Sequence, residues 1–97
     1  MAEPLSAEAL TAALNNLPGW SVVDDMMTKT YALPSYMAGI AFVGAVGTIA
    51  EAHDHHPDLE VTYKKVKVSF TTHDAGSKVT QKDVDAAAAI EALGYPK

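Results

Sequence analysis

Hydrophobic and polar positions alternate most regularly in "LEVTYKKVKVSFTTH". Leu59, Val61 and Tyr63 oppose Glu60, Thr62 and Lys64, and Val66, Val68 and Phe70 then oppose Lys67, Ser69 and Thr71. A period of two marks a half-buried strand. The parity breaks at Lys64-Lys65, which predicts a turn between two antiparallel strands, with Tyr63 continuing the inward set as a core residue. His73 continues the polar set and is expected to point away from the main core. Upstream, "WSVVDDMMTKTYALP" carries two short extended runs around Asp24-Asp25 and predicts a β-hairpin.

Helical spacing accounts for the rest. Leu10, Leu14 and Leu17 form one stripe behind a Ser6 N-cap, Leu5 and Leu10 are placed as a hydrophobic staple, and Pro18-Gly19 ends the element. Ser35 caps a longer helix reaching about Ala52, apolar nearly all round and thinned by Gly39, Gly44 and Gly47. Glycine lowers helix stability, so three of them predict close packing against a sheet or a partner subunit. The last helix starts at "VTQKDV", with Thr80 as N-cap, Asp83 at the N3 capping-box position and Val79 and Val84 as staple; Gly94 is placed at C′, with Pro96 beyond. The order α-β-β-α-β-β-α predicts an α+β fold, a four-stranded antiparallel sheet with three helices packed on one face.

Composition narrows the function. The 97 residues suit one domain spanning 1–97, and 48% hydrophobic against 20% charged residues is a globular balance. Seven Lys+Arg against twelve Asp+Glu, net −5, argue against a nucleic-acid surface; "YKKVK" is small enough to be a solvated turn and strand face. The absence of cysteine rules out disulfides, thiolate-held zinc and a thiol nucleophile, and suits a cytoplasmic setting. "MAEPLSAEAL" does not read as a signal peptide, and the apolar run from Tyr36 to Ala50 is too short to span a bilayer, so no membrane partner is expected.

The chemistry concentrates in "EAHDHHPDLE", which places His53, His55 and His56 within four positions, closed by Pro57; the fourth histidine is His73 in "FTTHDAG". Pro57 ends the helix and pushes His56 toward an extended backbone, so adjacent rings can fan out over one pocket. Helix-end carbonyls, Asp54 and Glu51 favour imidazolium there, and imidazole suits proton transfer near neutral pH. Glu51, four residues before His55, is placed to hold that ring. Two other readings stand beside acid/base chemistry: a helix end that merely faces water, and an open zinc site of His53, His55 or His56 with His73 and a carboxylate. The "HDHH" spacing matches no zinc motif with a known mechanism, and His53 is the member expected to face solvent.

Glu51, His55-His56-Pro57, Tyr63, His73 and Asp83 stand at intervals that resemble the signature of the pterin-4a-carbinolamine dehydratases, and the likeness extends from Leu5 to Leu93, including Gly19-Trp20. The resemblance implies the α+β fold read above, assembled as dimers and often tetramers. It also implies a lyase activity: removal of water from 4a-hydroxytetrahydropterin to give quinonoid dihydropterin, which recycles the cofactor of aromatic amino acid hydroxylases. By the same resemblance His55, His56 and His73 line the pterin pocket as the catalytic set, with Asp54, Thr72 and Asp74 at the substrate-binding site and Glu51 in support. Neither a metal nor an organic cofactor is implied. Asp83 fits the signature, yet its capping position is a sufficient structural reason for it, so it stays outside the catalytic set. One departure is Leu59, where many relatives carry an aromatic, often Trp. Relatives with degraded sites do other work, such as Rubisco assembly, and in animals the same fold also serves as a dimerisation cofactor for a homeodomain transcription factor. A binding or assembly protein is therefore the alternative function.

Overall fold

The structure, a computed structural model, describes residues 3–96. Its elements follow the predicted order: α1 (Ala7–Asn15), β1 (Ser21–Val23), β2 (Met26–Ala32), α2 (Tyr36–His53), β3 (Asp58–Thr62), β4 (Lys65–Phe70) and α3 (Gln81–Glu91), with a single 3₁₀ turn at His73–Ala75. The strands form one antiparallel sheet in the order β1-β2-β4-β3. Because directly opposed residues share a face, the registers Met27–Phe70, Lys29–Val68, Tyr31–Val66 and Leu59–Val68 define the side that the helices cover. Met27, Val66, Val68 and Phe70 are fully buried there, while Thr30, Lys65 and Lys67 line the open side.

Each start signal acts as expected. Ser6, Ser35 and Thr80 accept from the backbone N–H groups of Ala9, Ala38 and Lys82. Asp83 completes the capping box by accepting from the Thr80 N–H. Asp24 and Asp25 both take positive φ, 51° and 62°, the conformation a two-residue hairpin turn with right-handed strand twist requires. α2 buries the stripe Gly39, Phe42, Val46 and Ala50 against the sheet. Of its three glycines only Gly39 meets the sheet, and a Cβ there would lie 3.5 Å from Val66, an ordinary contact; at Gly44 and Gly47 it would meet nothing within 4 Å. Packing against the sheet therefore does not account for the thinness of α2.

Two local expectations are corrected. The β3–β4 turn consists of Tyr63 and Lys64, because Thr62 already pairs with Lys65. Tyr63 is thus a turn residue, 72% exposed, rather than a core residue, and strand parity does not extend to it. Gly94 adopts the left-handed conformation anticipated for it, φ 66°, but α3 ends earlier, capped at Ala92.

A charged group sits under the sheet at the far end from the histidines. Lys29, between Met27 and Tyr31 on the covered side, donates to Glu91 Oε2 at 2.8 Å and to the Pro18 carbonyl at 2.8 Å. Trp20 Nε1 and the Tyr31 hydroxyl donate to the same Glu91 oxygen. One carboxylate therefore ties the end of α3 to β2 and to the segment leaving α1. Burial and the neighbouring Glu91 push the Tyr31 phenol well above its ordinary range, so it remains a donor. Partial burial alone would raise the Glu91 carboxyl, but the hydrogen bonds from Lys29, Tyr31 and Trp20, with the Lys29 charge, hold it below the usual range. A carboxylate depressed in the folded state stabilises above its unfolded pKa, about 4.3, and loses that contribution as pH falls through the lower folded value. Glu91→Gln is expected to cost on the order of 1–2 kcal/mol at pH 7. Thermal melts from pH 7 to pH 3 should show the gap between the two proteins closing toward the acid end.

Candidate functional site

α2 ends in a way that explains the fan of histidines. Asp54 turns left-handed, φ 49° and ψ 42°. Its N–H reaches the Glu51 carbonyl, while the His55 N–H reaches back to Ala50. These are the paired bonds of a Schellman closure, with Asp54 where glycine is usual; aspartate is among the few side chains that tolerate that region. The reversal sends His55 toward the protein and leaves His56 at the rim, and Pro57 then starts the chain into β3.

His55 is the better held of the two. Its ring stacks on buried Phe70 with centroids 5.7 Å apart and planes 7° apart, and Nε2 lies 2.6 Å from Asp83 Oδ1. A carboxylate only accepts, so His55 donates from Nε2, which leaves Nδ1 as the ring's acceptor in the neutral form. Asp83 is fully buried, and every one of its contacts can be assigned. Its Oδ2 accepts from the Thr80 N–H and the Thr72 hydroxyl, each at 2.8 Å. The Thr80 hydroxyl donates in turn to Thr72 at 2.7 Å and accepts from the Lys82 N–H. Among the described residues no buried side-chain nitrogen or oxygen lacks a partner.

Glu51 meets His56 rather than His55: Nε2 of His56 donates to Glu51 Oε1 at 2.5 Å, in an exposed pair. The expected i, i+4 contact does not form because the reversal at Asp54 carries His55 away from the helix face on which Glu51 lies. His53 ends α2, exposed, and is absent from the cavity wall. His73 comes from the opposite side, in the 3₁₀ turn after β4.

His55, His56 and His73 line one cavity of about 240 Å³, together with Asp54, Thr72 and Asp74. Each of the three catalytic and three binding positions inferred from sequence thus lies on this wall, and Glu51 sits one contact behind it. Thr71 and Lys82 complete the wall, and neither was singled out from sequence. Lys82 carries no signal beyond its place in the first turn of α3, and Thr71 reads as an ordinary strand end. Asp83 fitted the family signature but was set aside as a cap; its second task required knowing that α3 begins beneath His55. Leu59 packs against the core opposite Val68 and lies off the cavity wall. Among the described residues no three His, Asp or Glu side chains gather as a metal site requires. No described helix is long and apolar enough to cross a membrane.

The class that fold and site define is a small four-stranded α+β domain with three imidazoles around one polar cavity. The comparisons give that class its family. The family model for pterin 4 alpha carbinolamine dehydratase matches residues 3–93, so the chain belongs to that family. A protein from Thermosynechococcus vestitus named "Putative pterin-4-alpha-carbinolamine dehydratase" is 44% identical over 93 residues, 96% of this chain and 97% of that one. Its namesake from Aquifex aeolicus is 42% identical, covering 96% and 93%. The crystal structure of a transcriptional coactivator/pterin dehydratase from Brucella melitensis superimposes with a TM-score of 0.85 at 28% identity, over 93% of this chain and 97% of that one. A pterin dehydratase-like protein described as a RuBisCO assembly factor of the alpha-carboxysome shares the fold, with a TM-score of 0.62 at 22% identity over 80% and 89% of the two chains.

The double task of Asp83 has a measurable consequence. Asp83→Asn keeps an acceptor for the Thr80 N–H and the Thr72 hydroxyl only by turning its NH2 donor toward His55 Nε2, and is expected to cost ~1–3 kcal/mol. Urea unfolding at pH 7 measures the loss, and the His55 ring resonances should report its changed tautomer or orientation.

Proposed function

We propose that the protein is a 4a-hydroxytetrahydropterin dehydratase that works by histidine acid/base catalysis. The observation that carries this reading is the convergence of His55, His56 and His73 on one cavity, two of them with Nε2 engaged by a carboxylate and Nδ1 left free. Family membership and the relatives' names support it.

Hydroxide is a poor leaving group, so the C4a oxygen must be protonated as the C4a–O bond breaks. The N5 lone pair forms the C4a=N5 double bond, and a base then removes the N5 proton. One proton goes in, one comes out, and water is the only other product. His55 and His56 form the acid/base pair around the hydroxyl and N5. His73 orients the pterin and shares the proton traffic, and Asp54, Thr72 and Asp74 bind the ring system. Glu51 and Asp83 set the tautomers of His56 and His55, which separates two otherwise identical groups by environment. Neither metal nor cofactor takes part, and the substrate comes from an aromatic amino acid hydroxylase.

The assay supplies carbinolamine generated in situ by a hydroxylase. Dehydration well above the spontaneous rate, unaffected by a chelator, is the expected result. Dehydration at the spontaneous rate sinks the proposal in favour of a binding or assembly role. His55→Ala and His56→Ala should each lower kcat by roughly 10²-fold or more while the circular dichroism spectrum is retained. Unchanged turnover in both would show that other residues carry the reaction.

We further propose self-association into a dimer or tetramer. Tyr36, Met37 and Ile40 leave an apolar outer face on α2, with Met37 68% exposed. Light scattering should return a mass above that of one chain, and Met37→Glu should lower it.

A further inference from the structure

The three cavity histidines are not held alike. Asp83 holds His55 and Glu51 holds His56, but the side chain of His73 has only a marginal contact, Nδ1 to the Ser77 hydroxyl at 3.5 Å. A contact that long does not fix a ring. The placement of His73 is therefore decided by the backbone that carries it.

That backbone is closed on itself. Thr72 and Lys78 form an antiparallel bridge, with the Thr72 N–H bonded to the Lys78 carbonyl at 3.0 Å. The Thr72 carbonyl accepts from the N–H groups of Ala75 and Ser77, each at 3.1 Å. Such a loop keeps its shape but can pivot about its two ends, so its anchors decide where His73 stands. Through the Thr72 hydroxyl, one anchor is Asp83 at the start of α3.

The other anchor is remote in sequence. The Thr71 hydroxyl donates to the Asp25 carbonyl at 3.0 Å, and Lys78 Nζ donates to Asp25 Oδ2 at 2.8 Å. A single residue of the β1–β2 turn thus holds Thr71, next to the bridge, and Lys78, one of its two members, 46 and 53 positions further along the chain. Asp25 is presented by a turn whose two residues both take positive φ, a conformation with little freedom to drift. The Thr71 anchor is buried, whereas the Lys78 pair is half exposed and worth only ~0–1 kcal/mol to stability. What the pair contributes is direction.

We propose that Asp25 is a positioning residue for His73: the β1–β2 turn braces the loop and sets where that imidazole stands in the cavity. The brace is a claim about geometry; its effect on turnover rests on the dehydratase reading above.

Two conservative variants test it. Thr71→Val removes the hydroxyl donor at nearly constant shape. Asp25→Asn removes the charge but keeps the carbonyl and the tolerance for a left-handed backbone. In protein labelled with 15N-histidine, both variants should shift or broaden the His73 ring signals while those of His55 and His56 stay in place. Unmoved His73 signals in both variants overturn the proposal. In turnover, Thr71→Val should lower kcat roughly 3- to 30-fold, less than the ~10²-fold that a 1 Å misplacement can cost. It should cause no further loss in a His73→Ala background, because the brace acts through that residue. An equal loss in both backgrounds would show that Thr71 acts elsewhere and would also overturn the proposal. If the wild-type protein has no dehydratase activity, the reading of function fails, and the ring signals still decide the brace.

Discussion

Asp83 is a carboxylate with no solvent exposure, and the rest of the site is arranged around keeping it satisfied. A buried carboxylate is costly unless each oxygen has donors. Here Oδ2 takes the Thr80 N–H and the Thr72 hydroxyl, and Oδ1 takes the His55 ring. Those three donors belong to the start of α3, the end of β4 and the exit of α2. One side chain therefore caps a helix, ties down the segment that follows β4 and sets the tautomer of an imidazole. Truncating it would leave three polar groups without their common acceptor, so stability and site geometry are coupled at this point.

The opposite end of the domain uses the same device with a different sign. Lys29 lies on the covered side of the sheet, where a cation needs an anion and a carbonyl to be tolerated, and Glu91 and Pro18 supply them. Between these two polar anchors the core is aliphatic and aromatic, with Phe42 against Tyr31 at 4.7 Å and Val66, Val68 and Phe70 beneath. α3 begins at one anchor and ends at the other, which fixes its position along the sheet as well as against it. That is why the N-terminus of α3 stands beneath His55.

Much of this was legible in local sequence. The caps at Ser6, Ser35 and Thr80, the hairpin at Asp24-Asp25 and the alternation from Val66 to Phe70 each arise from interactions within a few residues, and each formed as read. The misreadings share a cause. Tyr63 looked like a core residue because alternation says nothing about where pairing stops, and that depends on the partner strand. Glu51 was assigned to His55 by helical spacing, which fails once the chain reverses at Asp54. The glycines of α2 suggested close packing against a sheet or a partner subunit; the sheet accounts only for Gly39, because spacing alone cannot say which face of a uniformly apolar helix turns inward.

The sequence by itself determined the element order and the helix starts, because propensity, capping and periodicity are short-range properties of the chain. The six side chains expected at the cavity came from the resemblance to a known family, and all six lie on its wall. What the tertiary structure decided was which carboxylates hold the histidines from behind: Asp83 with His55, Glu51 with His56, and Asp25 beside the loop of His73. The pairs that Asp83 and Asp25 make join segments that meet only when the sheet closes and α3 docks, and no local pattern records them. Glu51 and His56 are close in sequence, but helical spacing does not foresee their contact because it depends on the chain reversal at Asp54.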